Sequence, residues 1–301
     1  IEISERFCFF IPDDRMVKTH FFIDKKHINK AKNGQKVKVK FLGWPKSAKS
    51  PQGAVIEIIG NPGELNVEMN SILSEFGFPS RFPNPVLSDL ETVENPNYDK
   101  EAKKRRDFRK VTTFTIDPLD AKDFDDALSF KELDNETIEI GVHIADVGHF
   151  VKENTIIDKE AFERGNSVYL VDRVIPMLPE KLSNVLCSLR PKEDKLTFSV
   201  VFKIKKSGEI IDTWFGKTVI HSDQRFTYEQ AQEIIEGKDH TYSKELDTLN
   251  SLARIIRSKR LDNGALNIES SEVKFKLNEK GIPIGTYIKV SKEAHQLVEE
   301  F

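Results

Sequence analysis

Apolar residues recur along this chain with two periods, and the periods change in blocks. The first block alternates. In Arg6-Phe-Cys-Phe-Phe-Ile11, Phe7 and Phe9 fall on one face and Cys8 and Phe10 on the other. Thr19–Asp24, Lys36–Phe41 and Gly53–Ile59 repeat the theme, with Val37, Val39 and Phe41 inward and lysines outward in the third. Short strands of this size, divided by turns such as Pro12-Asp-Asp14, predict a small five-stranded barrel. The period then becomes helical over Glu64–Phe78, where Leu65, Met69, Ile72, Leu73 and Phe76 form one stripe. Pro79, Pro83 and Pro85 break it, and the polar stretch to Arg109 reads as a linker. A mixed block follows. Val111–Ile116 reads as a buried strand stopped by Pro118. Ala127–Phe130 and Thr137–Ile144 read as a hairpin about Asp134-Asn135. A helix over Asp158–Arg164 stops at Gly165, and a second hairpin joins Leu196–Lys205 to Ile210–Lys217. Thr227-Tyr-Glu-Gln230 is a capping box opening a helix to Ile235. A long helix over Ser243–Leu261, a third hairpin over Val273–Leu277 and Ile284–Val290, and a last helix complete the chain. The expected class is α+β, with a barrel at 1–80, a linker at 81–110 and a mixed α/β domain over 111–301.

Charge changes this picture more than composition does. The whole chain carries a formal net charge of −3, but residues 1–60 hold 12 Lys and Arg against 6 Asp and Glu. A basic, aromatic-bearing barrel beside an acid-rich block suits an oligonucleotide-binding module, since single strands require stacking rings and cations together. A lysine-rich face that merely keeps a small domain soluble is the plainer alternative. No apolar run approaches the roughly 18 residues of a membrane span. The two cysteines, Cys8 and Cys187, are too few for a disulfide framework or a zinc spacing, which fits a reducing cytoplasm. There is no phosphate-loop signature, so no nucleotide cofactor is expected.

The densest chemistry lies in Thr115-Ile-Asp-Pro-Leu-Asp-Ala-Lys-Asp-Phe-Asp-Asp-Ala127, which carries Asp117, Asp120, Asp123, Asp125 and Asp126. Many acid-rich loops are solvated turns. Here the acids are interleaved with Ile116, Ala121, Phe124 and Ala127, which implies partial burial, and buried carboxylates without partners are costly. A hard cation such as magnesium answers that, taking oxygen ligands from carboxylates and from substrate phosphates. Two such ions can activate water and stabilise a departing phosphodiester oxygen. A calcium EF-hand is excluded, since no Gly stands at the sixth position and no Glu closes a twelve-residue loop.

Asp117-Pro-Leu-Asp-Ala-Lys-Asp-Phe-Asp-Asp126 resembles the signature of the ribonuclease II / ribonuclease R family of processive 3′-to-5′ exoribonucleases, closest to the ribonuclease R branch. Gly141–Val147, Arg164–Tyr169, Val174–Glu180 and Gln296–Phe301 resemble further blocks of that family. The resemblance implies that Asp117, Asp123, Asp125 and Asp126 are the catalytic, magnesium-binding acids, while Asp120 is not one of them. It implies that Tyr169 stacks on a base near the 3′ end, that Tyr228 marks the end of the substrate channel, and that Glu299 meets the released nucleotide. The first two aromatic strands are similar to the RNA-binding strands of a cold-shock domain, so Phe7, Phe9 and Phe22 would face RNA, with Cys8 standing where that pattern has Gly. Ile268 takes the place of an aromatic that often clamps the bases opposite the tyrosine.

By the same resemblance the chain is expected to lack most of the barrel's first strand and the C-terminal part of the catalytic domain, and to be inactive by itself. The expected activity is magnesium-dependent hydrolysis of single-stranded RNA from the 3′ end to nucleoside 5′-monophosphates, by a cytoplasmic monomer. Two alternatives stand beside it: a catalytically inactive RNA-binding protein on the same fold, and a metal-dependent phosphodiesterase acting on DNA.

Overall fold

The computed structural model describes residues 1–267, 272–279 and 281–301. They divide into two compact units, Ile1–Phe82 and Pro83–Phe301.

The first unit is a five-stranded sheet of β1 (Glu2–Ile3), β2 (Cys8–Phe10), β3 (Phe21–Ile23), β4 (Lys36–Gly43) and β5 (Gln52–Gly60). The order is β1-β2-β3-β5-β4. β3 runs parallel to β5, and the other pairings are antiparallel. The strand expected to be largely absent is present as the two-residue β1, paired Glu2 with Phe9 and Ile3 with Cys8. Alternation sets the core: Cys8, Ile23, Ala31, Val37 and Val55 are buried together, with Phe10 and Phe21 against them. Cys8 is therefore a core hydrophobe, packed too deeply for any larger residue to enter without rearrangement. Helix α1 (Leu65–Glu75) closes the unit with Val67 and Leu73 inward.

Residues 83–110, expected as a linker, fold within the second unit. They form α2 (Asn84–Glu91), α3 (Tyr98–Ala102) and the short strand β6 (Arg106–Asp107). The apolar residues responsible are sparse in sequence but fully used: Val86, Leu90 and Phe108 are buried. The basic tract Lys103-Lys-Arg-Arg106 within that stretch is partly structural. Arg105 pairs with Asp146 at 2.7 Å and Glu101 at 3.2 Å, and Arg106 with Glu139 at 2.7 Å.

The second unit is built on a seven-stranded sheet. Its further strands are β7 (Thr112–Asp117), β8 (Asp126–Glu132) and β9 (Thr137–Ala145). After α4 (Val147–Phe150), α5 (Ile156–Arg164) and the short pair β10 (Val168–Tyr169) and β11 (Val174–Ile175) come β12 (Asp194–Lys205), β13 (Ile210–His221) and β14 (Gln224–Thr227). The order is β14-β7-β8-β9-β12-β13-β6, antiparallel except where β14 joins β7 and β6 joins β13. Helices α6 (Tyr228–Ile235), α7 (Ser243–Asp262) and α8 (Glu293–Glu300) lie on one face. Phe114, Ile116, Leu128, Phe130, Ile138 and Ile140 of the sheet meet Ala231, Ile234, Leu246, Leu249 and Leu297 there. The opposite face of the same strands carries Thr113, Thr115, Ser129 and His143, all buried. A hairpin of β15 (Glu272–Leu277) and β16 (Pro283–Lys289) stands between α7 and α8 in the chain.

Candidate functional site

The acid loop runs from the last residue of β7, Asp117, to the first of β8, Asp126. Its geometry follows from strand pairing. β7 and β8 pair at Thr112–Phe130, Thr113–Ser129 and Phe114–Leu128, then diverge. The chain between them must turn out of the sheet and back. Pro118 has no N–H to continue the ladder, and the Ala121 amide donates to the Pro118 carbonyl at 3.2 Å.

The returning limb is tied down by backbone. The Phe124 amide donates to buried Ser188 Oγ at 3.0 Å, and Ser188 Oγ donates to the Lys122 carbonyl at 3.0 Å. The Leu189 amide donates to the Phe124 carbonyl at 2.8 Å, and the Ala145 amide to the Asp125 carbonyl at 3.0 Å. The outgoing limb is held differently. Arg225, on β14, donates from Nη2 to the carbonyls of Pro118 and Leu119, the latter at 3.2 Å. Its guanidinium also lies 5.4 Å from the Phe124 ring centre.

The electrostatics match a crowded acid cluster. Burial pushes Asp117 up to about 7; the Thr115 hydroxyl, 2.5 Å away, opposes this, Asp126 adds to it, the Arg225 charge opposes it, and Asp125 adds to it. Asp125 is raised, first by lost hydration and then by Asp123 and Asp126. Asp126 is raised by burial. Asp117 and Asp125 therefore feel neighbouring acids as well as burial, and a divalent cation would relieve both the repulsion and the lost hydration. Among the described residues no three His, Cys, Asp or Glu stand close enough to hold a metal by themselves. The donor set is all oxygen, as magnesium prefers.

Two tyrosines stand at the cluster. Tyr169 on β10 is 69% exposed, so its ring is open to a ligand. Its hydroxyl is held above the usual range by partial burial and then by Asp123 and Asp125. Tyr228 is the first residue of α6, behind the Thr227 cap; Gln230 and Thr227 exchange hydrogen bonds at 2.9 and 3.1 Å. Tyr228 is half-buried and stacks on His295 of α8, with centroids 4.1 Å apart and an interplanar angle of 9°. Burial raises its hydroxyl, and then Asp126, Asp117 and Glu299 do so. So Tyr169 lies toward Asp123 and Asp125 of the returning limb, and Tyr228 toward Asp126 and Asp117, where both limbs join the sheet, with Glu299 beside Tyr228. The last two glutamates divide the work: Glu300 is ion-paired to Arg257 at 3.1 Å and Arg260 at 2.6 Å with its side chain 2% exposed, and Glu299 is 56% exposed.

In the first unit Phe7, Phe9 and Phe22 form one aromatic face, outside the core. Phe7 and Phe9 have centroids 5.6 Å apart, and Phe9 and Phe22 5.9 Å apart. Phe9 and Phe22 line a cleft with Ala48, Lys49, Ser50 and Gln52. Ile268 lies outside the described residues.

Sequence reasoning missed Arg225, Ser188 and His295. Arg225 reaches the loop only through the parallel pairing of β14 with β7, which opposes Arg225 to Thr115 and Thr227 to Asp117. No local pattern announces such a pairing. Cys187 is no nucleophile: burial pushes its thiol up to about 12.

Comparison with known proteins adds to this geometry. A family described as the RNB domain matches residues 105–301, and a cold shock domain matches residues 9–83. The chain is 38% identical to a ribonuclease R of Thermotoga maritima over 98% of this chain and 43% of that protein. Its fold is similar to that of Mycoplasma genitalium RNase R in complex with ribose methylated single-stranded RNA, with a TM-score of 0.86, 22% identity, and coverage of 97% of this chain and 48% of that one. It is also similar in fold to yeast Ssd1, a pseudonuclease, with a TM-score of 0.69, 22% identity, and coverage of 89% of this chain and 34% of that one. The chain thus spans less than half the length of each of these proteins.

Proposed function

This chain belongs to the RNB-domain family, with a cold-shock domain ahead of the RNB domain, and we propose that it serves the processive 3′-to-5′ hydrolysis of single-stranded RNA to nucleoside 5′-monophosphates. One observation carries the proposal: an acid loop whose half-buried carboxylates, with Asp117 and Asp125 raised by burial and by neighbouring acids, lie beside two tyrosines. Asp117, Asp123, Asp125 and Asp126 would offer carboxylate oxygens to magnesium. Bound there, magnesium would lower the pKa of an attacking water and stabilise the departing 3′ oxygen.

The protein's own groups do the rest. Tyr169 presents an open ring to a base near the 3′ end, which tolerates any sequence because every base has a flat face. Tyr228, braced by His295, limits how far the strand advances, and exposed Glu299 meets the terminal nucleotide. The Phe7, Phe9 and Phe22 face, with Lys49 at its edge, grips the strand by stacking and charge. Buried, unpaired Cys8 and Cys187 support a reducing, cytoplasmic setting.

The likeness to a pseudonuclease keeps one rival in play: RNA binding without cleavage. Presence of all four acids speaks against it, since a mere binder has no need to keep them. The test uses the full-length protein and a 5′-labelled single-stranded RNA, with magnesium or with chelator. Magnesium-dependent shortening to a small limit product is expected. Asp125→Asn should slow it roughly a hundredfold or more while RNA still binds, the scale of losing one charge-stabilising group. RNA bound but never shortened, under any divalent metal, would replace the exonuclease with the binding module.

A further inference from the structure

Arg225 is a cation placed among acids that forms no ion pair among the described residues. That is unusual for an arginine in such a setting, because a bidentate carboxylate is the guanidinium's best partner. Asp117 senses its charge. Yet Nη2 donates to the backbone carbonyls of Pro118 and Leu119, and the flat head lies against the Phe124 ring. Nε is buried and has no hydrogen-bond partner among the described residues. A buried donor left unpaired is unfavourable, so the head is held in place by its other contacts rather than by a best fit of its own.

We propose that Arg225 is the positioning residue of the acid loop: it spans the two limbs, from Pro118 and Leu119 to Phe124, and sets the aspartates for metal without occupying their oxygens. This deepens the exonuclease reading and rests on it only for the catalytic readout. The division of labour explains the contact pattern. The returning limb already has four hydrogen bonds to Ser188, Leu189 and Ala145. The outgoing limb, beyond its internal Ala121–Pro118 turn, is tied to the rest of the protein by Arg225 through the two carbonyls. An arginine that instead paired with Asp117 or Asp126 would compete with the metal for the same lone pairs. A carbonyl-bound arginine lowers the repulsion among the acids and leaves those lone pairs free.

The test compares full-length wild type, Arg225→Lys and Arg225→Met. Three quantities are read: the single-turnover rate of RNA shortening against magnesium concentration, RNA affinity in chelator, and binding of manganese alone followed by electron paramagnetic resonance. The thermal midpoint of each variant shows that it is folded. Lysine keeps the charge but cannot span two carbonyls and stack on Phe124 at once. Both variants should therefore need at least about tenfold more metal for half-maximal rate and bind manganese correspondingly more weakly, while RNA affinity stays within about twofold of wild type. Unchanged manganese affinity and metal requirement in a folded Arg225→Met would overturn the inference. So would a loss of rate that merely follows a loss of folded protein or of RNA affinity. If wild type leaves RNA intact, the exonuclease reading fails. The manganese comparison then decides alone, and a wild type that binds no manganese defeats both ideas.

Discussion

His143 shows at the scale of one residue how a group suggestive of metal chemistry becomes structural. Its Nδ1 lies 2.6 Å from Ser199 Oγ and its Nε2 2.8 Å from Ser129 Oγ, so both ring nitrogens are engaged. The Phe108 ring packs edge-on at 5.0 Å. Burial, with the Arg106 charge adding, depresses the imidazole to about 3. The unfolded chain takes up a proton near pH 6.5 and the folded one does not, so below that pH protonation favours the unfolded state. His143 thus contributes stability fully above pH 6.5 and loses it as pH falls toward 3. Urea unfolding of wild type and His143→Gln should reveal this as a difference in stability that shrinks by about 1.4 kcal/mol per pH unit between pH 6 and 5. A pH-independent difference would show that the ring is protonated in the folded state. Gly141 belongs to the same cluster. A Cβ there would sit 2.5 Å from both His143 Nε2 and Ser129 Oγ, so Gly141→Ala should cost about 1–3 kcal/mol by overpacking, measured in the same unfolding experiment.

At the scale of elements, α8 carries two adjacent glutamates with opposite duties, and helical geometry separates them by about 100°. Glu300 turns to Arg257 and Arg260 on α7 and is buried, so Glu300→Ala removes an acceptor shared by both, although Arg257 keeps Asn267 at 3.0 Å and a longer pair with Glu299 at 3.8 Å. Its destabilisation should be about 2 kcal/mol, discounted because both arginines are partly exposed. Glu299→Ala, on the open side, should leave the midpoint within about 0.5 kcal/mol of wild type and alter the RNA end product instead. Equal thermal losses for the two would refute the division. Elements of this kind were largely legible in the chain. The capping box at Thr227, the hairpins about Asp134-Asn135 and Lys206–Glu209, and the stripe of α7 are all local signals, and each formed where the pattern put it. What stayed hidden was non-local. β6 and β14 are short strands that pair in parallel with distant partners, and α2 and α3 fall in a stretch whose few apolar residues do not repeat. The acids were legible because five of them crowd one short, half-apolar loop, and the tyrosines only through the family resemblance of the blocks that carry them, whereas Arg225, Ser188 and His295 act through pairings the chain does not advertise.

For the molecule as a whole, charge is divided between the two units rather than shared. The first unit, residues 1–82, holds 13 Lys and Arg against 9 Asp and Glu, although the entire chain is slightly acidic. Under the proposed function, attraction for phosphate falls to the cold-shock unit and cation binding to the acids of the RNB unit. If RNA enters the cleft lined by Phe9, Phe22 and Lys49, as proposed, two forces would act there, and they respond to salt differently. A phosphate contact releases a counterion, so each one lost should reduce the slope of log affinity against log salt by about 0.7 on single strands. A stacked ring releases no counterion, so its loss should lower affinity by about 1–3 kcal/mol at every salt concentration and leave the slope alone. Titration of fluorescent single-stranded RNA into full-length protein, in chelator and at several salt concentrations, separates the two. Phe9→Ala and Phe22→Ala should shift the line down without tilting it. Lys49→Ala should tilt it by about 0.7 and change affinity little at high salt. Parallel lines of unchanged height for all three variants would remove this face from RNA binding and leave its exposed aromatics to another partner.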